Sequence, residues 1–207
     1  MVGTYSAYTI FSDWVECCAL AIQNSCMLIH NKLWNAREEQ YLQIIKKYDD
    51  KQRRLFSHMF YLMSCALEEN IEDVLGDVFM KSGCYSKALG QFFTPFHLSK
   101  LTAAMRVPDN ISENDKITIN EPSTGGGGMI IGFASVLKDR GINYQKIMDV
   151  TAQDLDWKGV YMSYLQFSLL GISATVVQGD TLLEPYTEGA YPEHRVFRTP
   201  RRLGVII

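Results

Sequence analysis

The chain has 207 residues, enough for one or two domains with a buried core. Hydrophobic residues make up 47% and charged residues 21%, which excludes an intrinsically disordered chain. The net charge of −3 excludes a molecule that binds nucleic acid through overall positive charge, though local basic patches remain available.

No apolar run approaches the about 18 residues of a membrane span, and no basic segment precedes an apolar core as in a signal peptide. The five cysteines include no C-x-x-C pair and are odd in number, so reduced thiols and a cytoplasmic setting are expected. The four histidines are scattered without metal-ligand spacing, and no metal is expected.

Residues 1–88 read as a helical N-terminal domain. Ser12-Asp13 is the expected cap of a helix through Ile22, and Asn35 that of a second with Tyr41, Leu42, Ile44, Ile45 and Tyr48 on its apolar face. A third, from about Arg54 to Leu67, carries Leu55, Met59, Phe60, Met63 and Leu67 at helical spacing, a stripe that reads as core. Lys46, Lys47, Lys51, Arg53 and Arg54 form a basic stretch, either a solvated helix end or a phosphate contact. Asp73 to Met80 and Cys84 to Leu89 then lead into Gly90-Gln-Phe-Phe-Thr-Pro95. Pro95 lacks a donor, so this reads as a loop followed by a helix from Phe96, with Thr94 as its cap.

From residue 89 a second domain is expected, with a β-α-β-α-β period that implies parallel strands. Strands are expected near 116–120, 146–152 and 174–177, with helices at 129–139 and 157–170 between them. The first strand ends in Glu121, and Gly125 to Gly128 then turn the chain into the helix at Met129. Strand, acid, glycine turn and helix mark a nucleotide-type cofactor site; the alternative is a tight turn without a ligand. The dinucleotide pattern G-x-G-x-x-G is not met at Ile130 or Ile131, and Phe133 stands where a phosphate loop needs lysine. A carboxylate beside the glycines suits a cationic ligand, so S-adenosylmethionine, with its sulfonium and ammonium, fits best.

Two motifs carry a family resemblance, Gly90-Gln-Phe-Phe-Thr-Pro95 and Glu121-Pro-Ser-Thr-Gly-Gly-Gly-Gly-Met129. In this order they resemble the adenine-N6 DNA methyltransferases, especially modification subunits of type I restriction-modification systems and their phage and mobile-element relatives. The resemblance implies a Rossmann-like, S-adenosylmethionine-dependent methyltransferase domain over 89–207, in truncated form. It implies cofactor binding by Phe93, Thr94, Glu121, Pro122, Gly125, Gly127, Asp154 and Asp180. Phe93 would pack on the methionine end and Thr94 would bond its carboxylate; Asp154 would accept from the ribose, with Asp156 as competitor. Asp180 would accept from the adenine amino group, unless it is a turn aspartate.

The family's catalytic motif, [DNS]-P-P-[YFW], is not in these residues: none of the six prolines adjoins another. Leu203 to Ile207 is the expected next strand, and the four arginines between Glu193 and Arg202 read equally as a solvated tail or a DNA-phosphate arm. The expected activity is methyl transfer to adenine in DNA, with little turnover by this chain in isolation and no catalytic residue assigned. DNA, weakly held by this chain alone, and a methyltransferase or specificity subunit are the implied partners. The alternative is a catalytically inactive, cofactor-binding regulator or assembly subunit. A small-molecule methyltransferase is a third reading, against which the loop at 90–95 stands.

Overall fold

A computed structural model describes residues 4–83 and 93–205. Four helices come first: α1 (Ala7–Ser25), α2 (Lys32–Ile45), α3 (Asp50–Glu69) and α4 (Val74–Lys81). Their starts follow from short polar side chains that accept otherwise orphaned amides. Ser6 accepts from Thr9 N, Asn31 from Leu33 and Trp34 N, and Asp49 forms a reciprocal capping box with Gln52. The caps expected at Ser12-Asp13 and Asn35 are therefore displaced; both sites lie inside helices. Asp13 is buried because its carboxylate has long-range partners, the Tyr48 hydroxyl at 2.8 Å and the Lys47 ammonium at 3.2 Å. A polar residue held in this way looks like a cap in sequence.

After α5 (Phe96–Arg106) the chain alternates: β1 (Ile117–Glu121), α6 (Gly128–Asp139), the single turn α7 (Tyr144–Ile147), β2 (Met148–Asp154), α8 (Trp157–Leu169) and β3 (Ala174–Gln178). The strands lie in the order β1-β2-β3-β4, where β4 is Val196–Arg198. The first three are parallel, with Ile117 beside Met148 and Val150 beside Ala174. The alternation expected from sequence is thus present.

β4 departs from expectation. It runs antiparallel to β3, with Phe197 beside Val176, whereas Leu203 to Val205 form no strand. Pro200 begins a turn that Val205 closes by donating to its carbonyl at 2.9 Å, so Val205 is held in a turn rather than in a strand. Residues 206 and 207 lie outside the described residues.

α8 lies between the sheet and α1, which explains why its side chains are buried all round from Lys158 to Ser168. Phe197 meets the rings of Trp157, Tyr161 and Tyr164 edge-on, joining β4 to this layer. One apolar cluster runs from Ile10 of α1 through Phe79 of α4 to Phe197. α5 packs closely along α6, because a Cβ on Gly132 would stand 2.9 Å from the Ser99 carbonyl carbon. This approach brings Ser99 to the glycine turn. No helix among the described residues is long and apolar enough to cross a membrane.

Candidate cofactor site at the glycine turn

The turn from β1 to α6 is fixed by its own backbone and by two carboxylates. Gly127 N donates to Thr124 O at 2.8 Å, and Thr124 N to Gln153 O at 3.0 Å. Gly127 has φ 93°, a left-handed conformation that favours glycine, and a Cβ there would meet the Phe167 ring at 2.6 Å. Its need for glycine is therefore steric, against α8. The first helical bond of α6 runs from Ile131 N to Gly127 O, and no side chain caps the helix. The amides ahead of that bond have no partner within the helix.

Asp154, at the end of β2, accepts from Gly125 N at 2.7 Å through Oδ2 and from Asp156 N at 2.9 Å through Oδ1. Asp156 caps α8 at Lys158 N and forms an ion pair with the Lys158 ammonium. On the other side of the turn stands Asp73, the N-cap of α4. Its Oδ1 accepts from Gly76 N at 2.8 Å and from Gln166 Nε2 at 2.7 Å. Gln166 also donates to Gly126 O at 2.7 Å and accepts from Leu75 N at 3.0 Å. One buried amide thus ties α4, the glycine turn and α8 together.

These elements enclose a cavity of about 230 Å³. Asp73, Phe93, Thr94, Ser99, Thr124 and Asp154 are in its wall, and among the described residues no lysine or arginine lines it. The hydroxyls of Ser99 and Thr124 are buried with no hydrogen-bond partner among the described residues, which is costly unless a ligand or solvent supplies one. Burial raises the pKa of Asp73, Asp154 and Glu121 above the ordinary carboxylate range, in each case against hydrogen bonds that lower it.

Of the residues expected at the site, Phe93, Thr94, Gly125 and Asp154 line this cavity together. The Phe93 ring lies against Gly125 and packs on Phe79 at 5.1 Å. Glu121, Pro122, Gly127 and Asp180 are not in its wall. Glu121 accepts from Ser123 N at 3.1 Å, and the Pro122 carbonyl accepts from the Thr181 hydroxyl at 2.7 Å. Asp180 accepts from Leu182 N and Leu183 N, the bonding of a turn aspartate. Thr94 does not cap α5: Pro95 takes the N-cap position without a side-chain bond. Gly90, Gln91 and Phe92 lie outside the described residues.

Sequence reasoning missed Asp73, Ser99 and Thr124. The one available signal was Asp73 with Gly76 three residues on, which reads as an ordinary helix cap. The arginine tail is also resolved. Arg195 pairs with Glu184, Arg198 with Glu193 and Arg202 with Asp149, while Arg201 donates to the Gln145 carbonyl. In the basic stretch Lys47 pairs with Asp13 and Arg53 with Asp50.

A family model described as N-6 DNA methylase matches residues 71–201. The chain belongs to the N-6 DNA methylase family. That span begins just before the Asp73 cap and includes the glycine turn, the four strands of the described residues, and Arg195 and Arg198. A search of curated proteins finds no match.

Proposed function

We propose that this N-6 DNA methylase family member binds S-adenosylmethionine at the glycine turn and serves the methylation of adenine N6 in DNA. The observation that carries the reading is the donor set of the cavity. Carboxylates and two buried hydroxyls without a partner among the described residues face it, and no cationic side chain of the described residues lines it. Such a wall repels a polyphosphate and suits a ligand with positive charge and polar ends. S-adenosylmethionine has a sulfonium, an ammonium, a carboxylate and a ribose, and when bound it supplies the methyl group. Phe93, Thr94, Gly125 and Asp154 are the residues proposed to hold it, with Glu121, Pro122, Gly127 and Asp180 shaping the turn and its surroundings.

A second reading is favoured by the sequence itself. These 207 residues contain no two adjacent prolines, hence no [DNS]-P-P-[YFW] motif to hold a flipped adenine by its amino group. The chain then acts as a cofactor-binding subunit or regulator beside DNA or a methyltransferase partner. Transfer of a labelled methyl group to adenine-containing DNA separates the two. Transfer by the purified chain supports the enzyme; saturable cofactor binding without transfer supports the subunit. Equal methyl transfer with and without DNA would contradict both.

A further inference from the structure

Asp73 is 5% exposed and lines the cavity, yet no cation stands against it among the described residues; the neighbouring charge acting on it is another carboxylate, Asp77. A buried carboxylate is ordinarily paired. Its two oxygens are also used unequally. Oδ1 accepts both hydrogen bonds, from Gly76 N and Gln166 Nε2, and Oδ2 accepts none from the described residues. Opposite lies Ser99, fully buried, whose hydroxyl has no partner among the described residues. Both atoms face one point at the start of α6. From the position a Cβ on Gly128 would take, Asp73 Oδ2 is 2.8 Å away and Ser99 Oγ 3.6 Å. The uncapped amides of α6 begin at the same place.

An acceptor lacking a cation, a donor lacking an acceptor and a helix N-terminus therefore meet within a few ångströms. That combination matches an α-amino acid, whose ammonium and carboxylate are carried on one carbon. We infer that Asp73 Oδ2 binds the α-ammonium of the cofactor's amino-acid end, and that Ser99 Oγ, with the first amides of α6, binds its α-carboxylate. The assignment rests on the proposed cofactor and adds two binding residues that the glycine motif does not contain. Helix N-termini attract carboxylates, so the two charges of the ligand are sorted by position. Gln166 acts through Asp73: it holds Oδ1 and leaves Oδ2 turned to the cavity.

Asp73→Asn isolates the claim. Asparagine keeps a carbonyl oxygen for Gly76 and Gln166, remains a good helix cap, and replaces only the oxygen without a partner. The test is calorimetric titration of wild type, Asp73→Asn and Ser99→Ala with two probes. One is S-adenosylmethionine; the other is 5′-methylthioadenosine, which keeps the adenosine and the sulfur but lacks the amino acid. The expected result is that Asp73→Asn weakens S-adenosylmethionine by about tenfold or more, as for loss of a charge-assisted bond, and leaves methylthioadenosine unchanged. Ser99→Ala is expected to act in the same direction, more weakly. Unchanged binding of S-adenosylmethionine by Asp73→Asn, or equal losses for both probes, would overturn the assignment. Should Asp73→Asn fail to melt cooperatively, wild type alone decides: tighter binding of S-adenosylmethionine than of methylthioadenosine supports the subsite, and equal affinities overturn it. Binding of neither probe by folded wild type would overturn the proposed cofactor as well.

Discussion

Gln166 Nε2 donates to Asp73 Oδ1 at 2.7 Å across 93 positions of sequence. The same nitrogen holds the Gly126 carbonyl and the amide oxygen holds Leu75 N, so one side chain of α8 satisfies groups on α4 and on the glycine turn. Gln166→Leu preserves the approximate volume and leaves buried backbone groups of Leu75 and Gly126 unpaired. A loss of about 3 kcal/mol of stability is expected, measured as a lowered urea midpoint with unchanged slope. A change within experimental error would show that the node does not hold α4 to the turn.

Asp73 also predicts a pH dependence. Burial raises its folded pKa above the unfolded value, with the Gln166 and Gly76 bonds lowering it and Asp77 adding to the rise. The folded state therefore holds this proton more tightly than the unfolded state. The resulting stability is fully present below the unfolded pKa and is lost as pH rises through the raised folded pKa. Asp73→Asn cannot ionise. It is expected to melt above wild type at pH 7, with the difference closing as pH falls toward the unfolded aspartate value. Asp154 and Glu121 remain in both proteins and cancel in the comparison. A variant that melts below wild type at pH 7 and matches it in acid would reverse the sign and contradict the account.

Gly127 tests which glycines belong to the fold. Its φ of 93° and the 2.6 Å approach of Phe167 to a Cβ make Gly127→Ala costly, by about 3 kcal/mol from backbone strain and overpacking together. Thermal melting checks this directly. A variant at this position that fails to bind cofactor reports a damaged turn rather than a lost ligand contact.

The arginine tail is already paired. Arg195, Arg198 and Arg202 each meet a carboxylate at 3.1 Å or less. Alanine at all three is expected to cost up to about 1 kcal/mol per pair and to leave the salt dependence of any DNA binding unchanged. A slope shallower by about 0.9 for each arginine removed would instead mark phosphate contacts.

The parallel core was legible in the sequence because β-branched runs, acids at strand ends and glycine stops follow one another at the period of a β-α unit. Asp154 was legible as a candidate for the same reason, since it ends the strand beside the glycine turn, and it lines the cavity. Its bonding was not legible, since both oxygens accept backbone amides that only the folded turn presents. Asp73 carries no motif in the sequence, and in the fold it is the N-cap of α4. Its place in the cavity wall depends on Gln166 and Ser99, which are remote in sequence and carry no motif. β4 was missed because Val196-Phe-Arg198 is short and adjoins charged residues, whereas Leu203-Gly-Val205 looked more like a strand and is turned away by Pro200. Two helix starts were misplaced because Asp13 has long-range partners and the true caps, Ser6 and Asn31, lie earlier.

The central claim, that the cavity between Asp73, the glycine turn and Asp154 receives S-adenosylmethionine, is tested most directly by titrating that compound into the purified chain and following the heat. The account predicts saturable binding of one ligand per chain, with competition by methylthioadenosine and none by a nucleoside triphosphate, whose phosphates the carboxylate wall rejects. No binding by a chain that melts cooperatively, or tighter binding of the triphosphate, would contradict it.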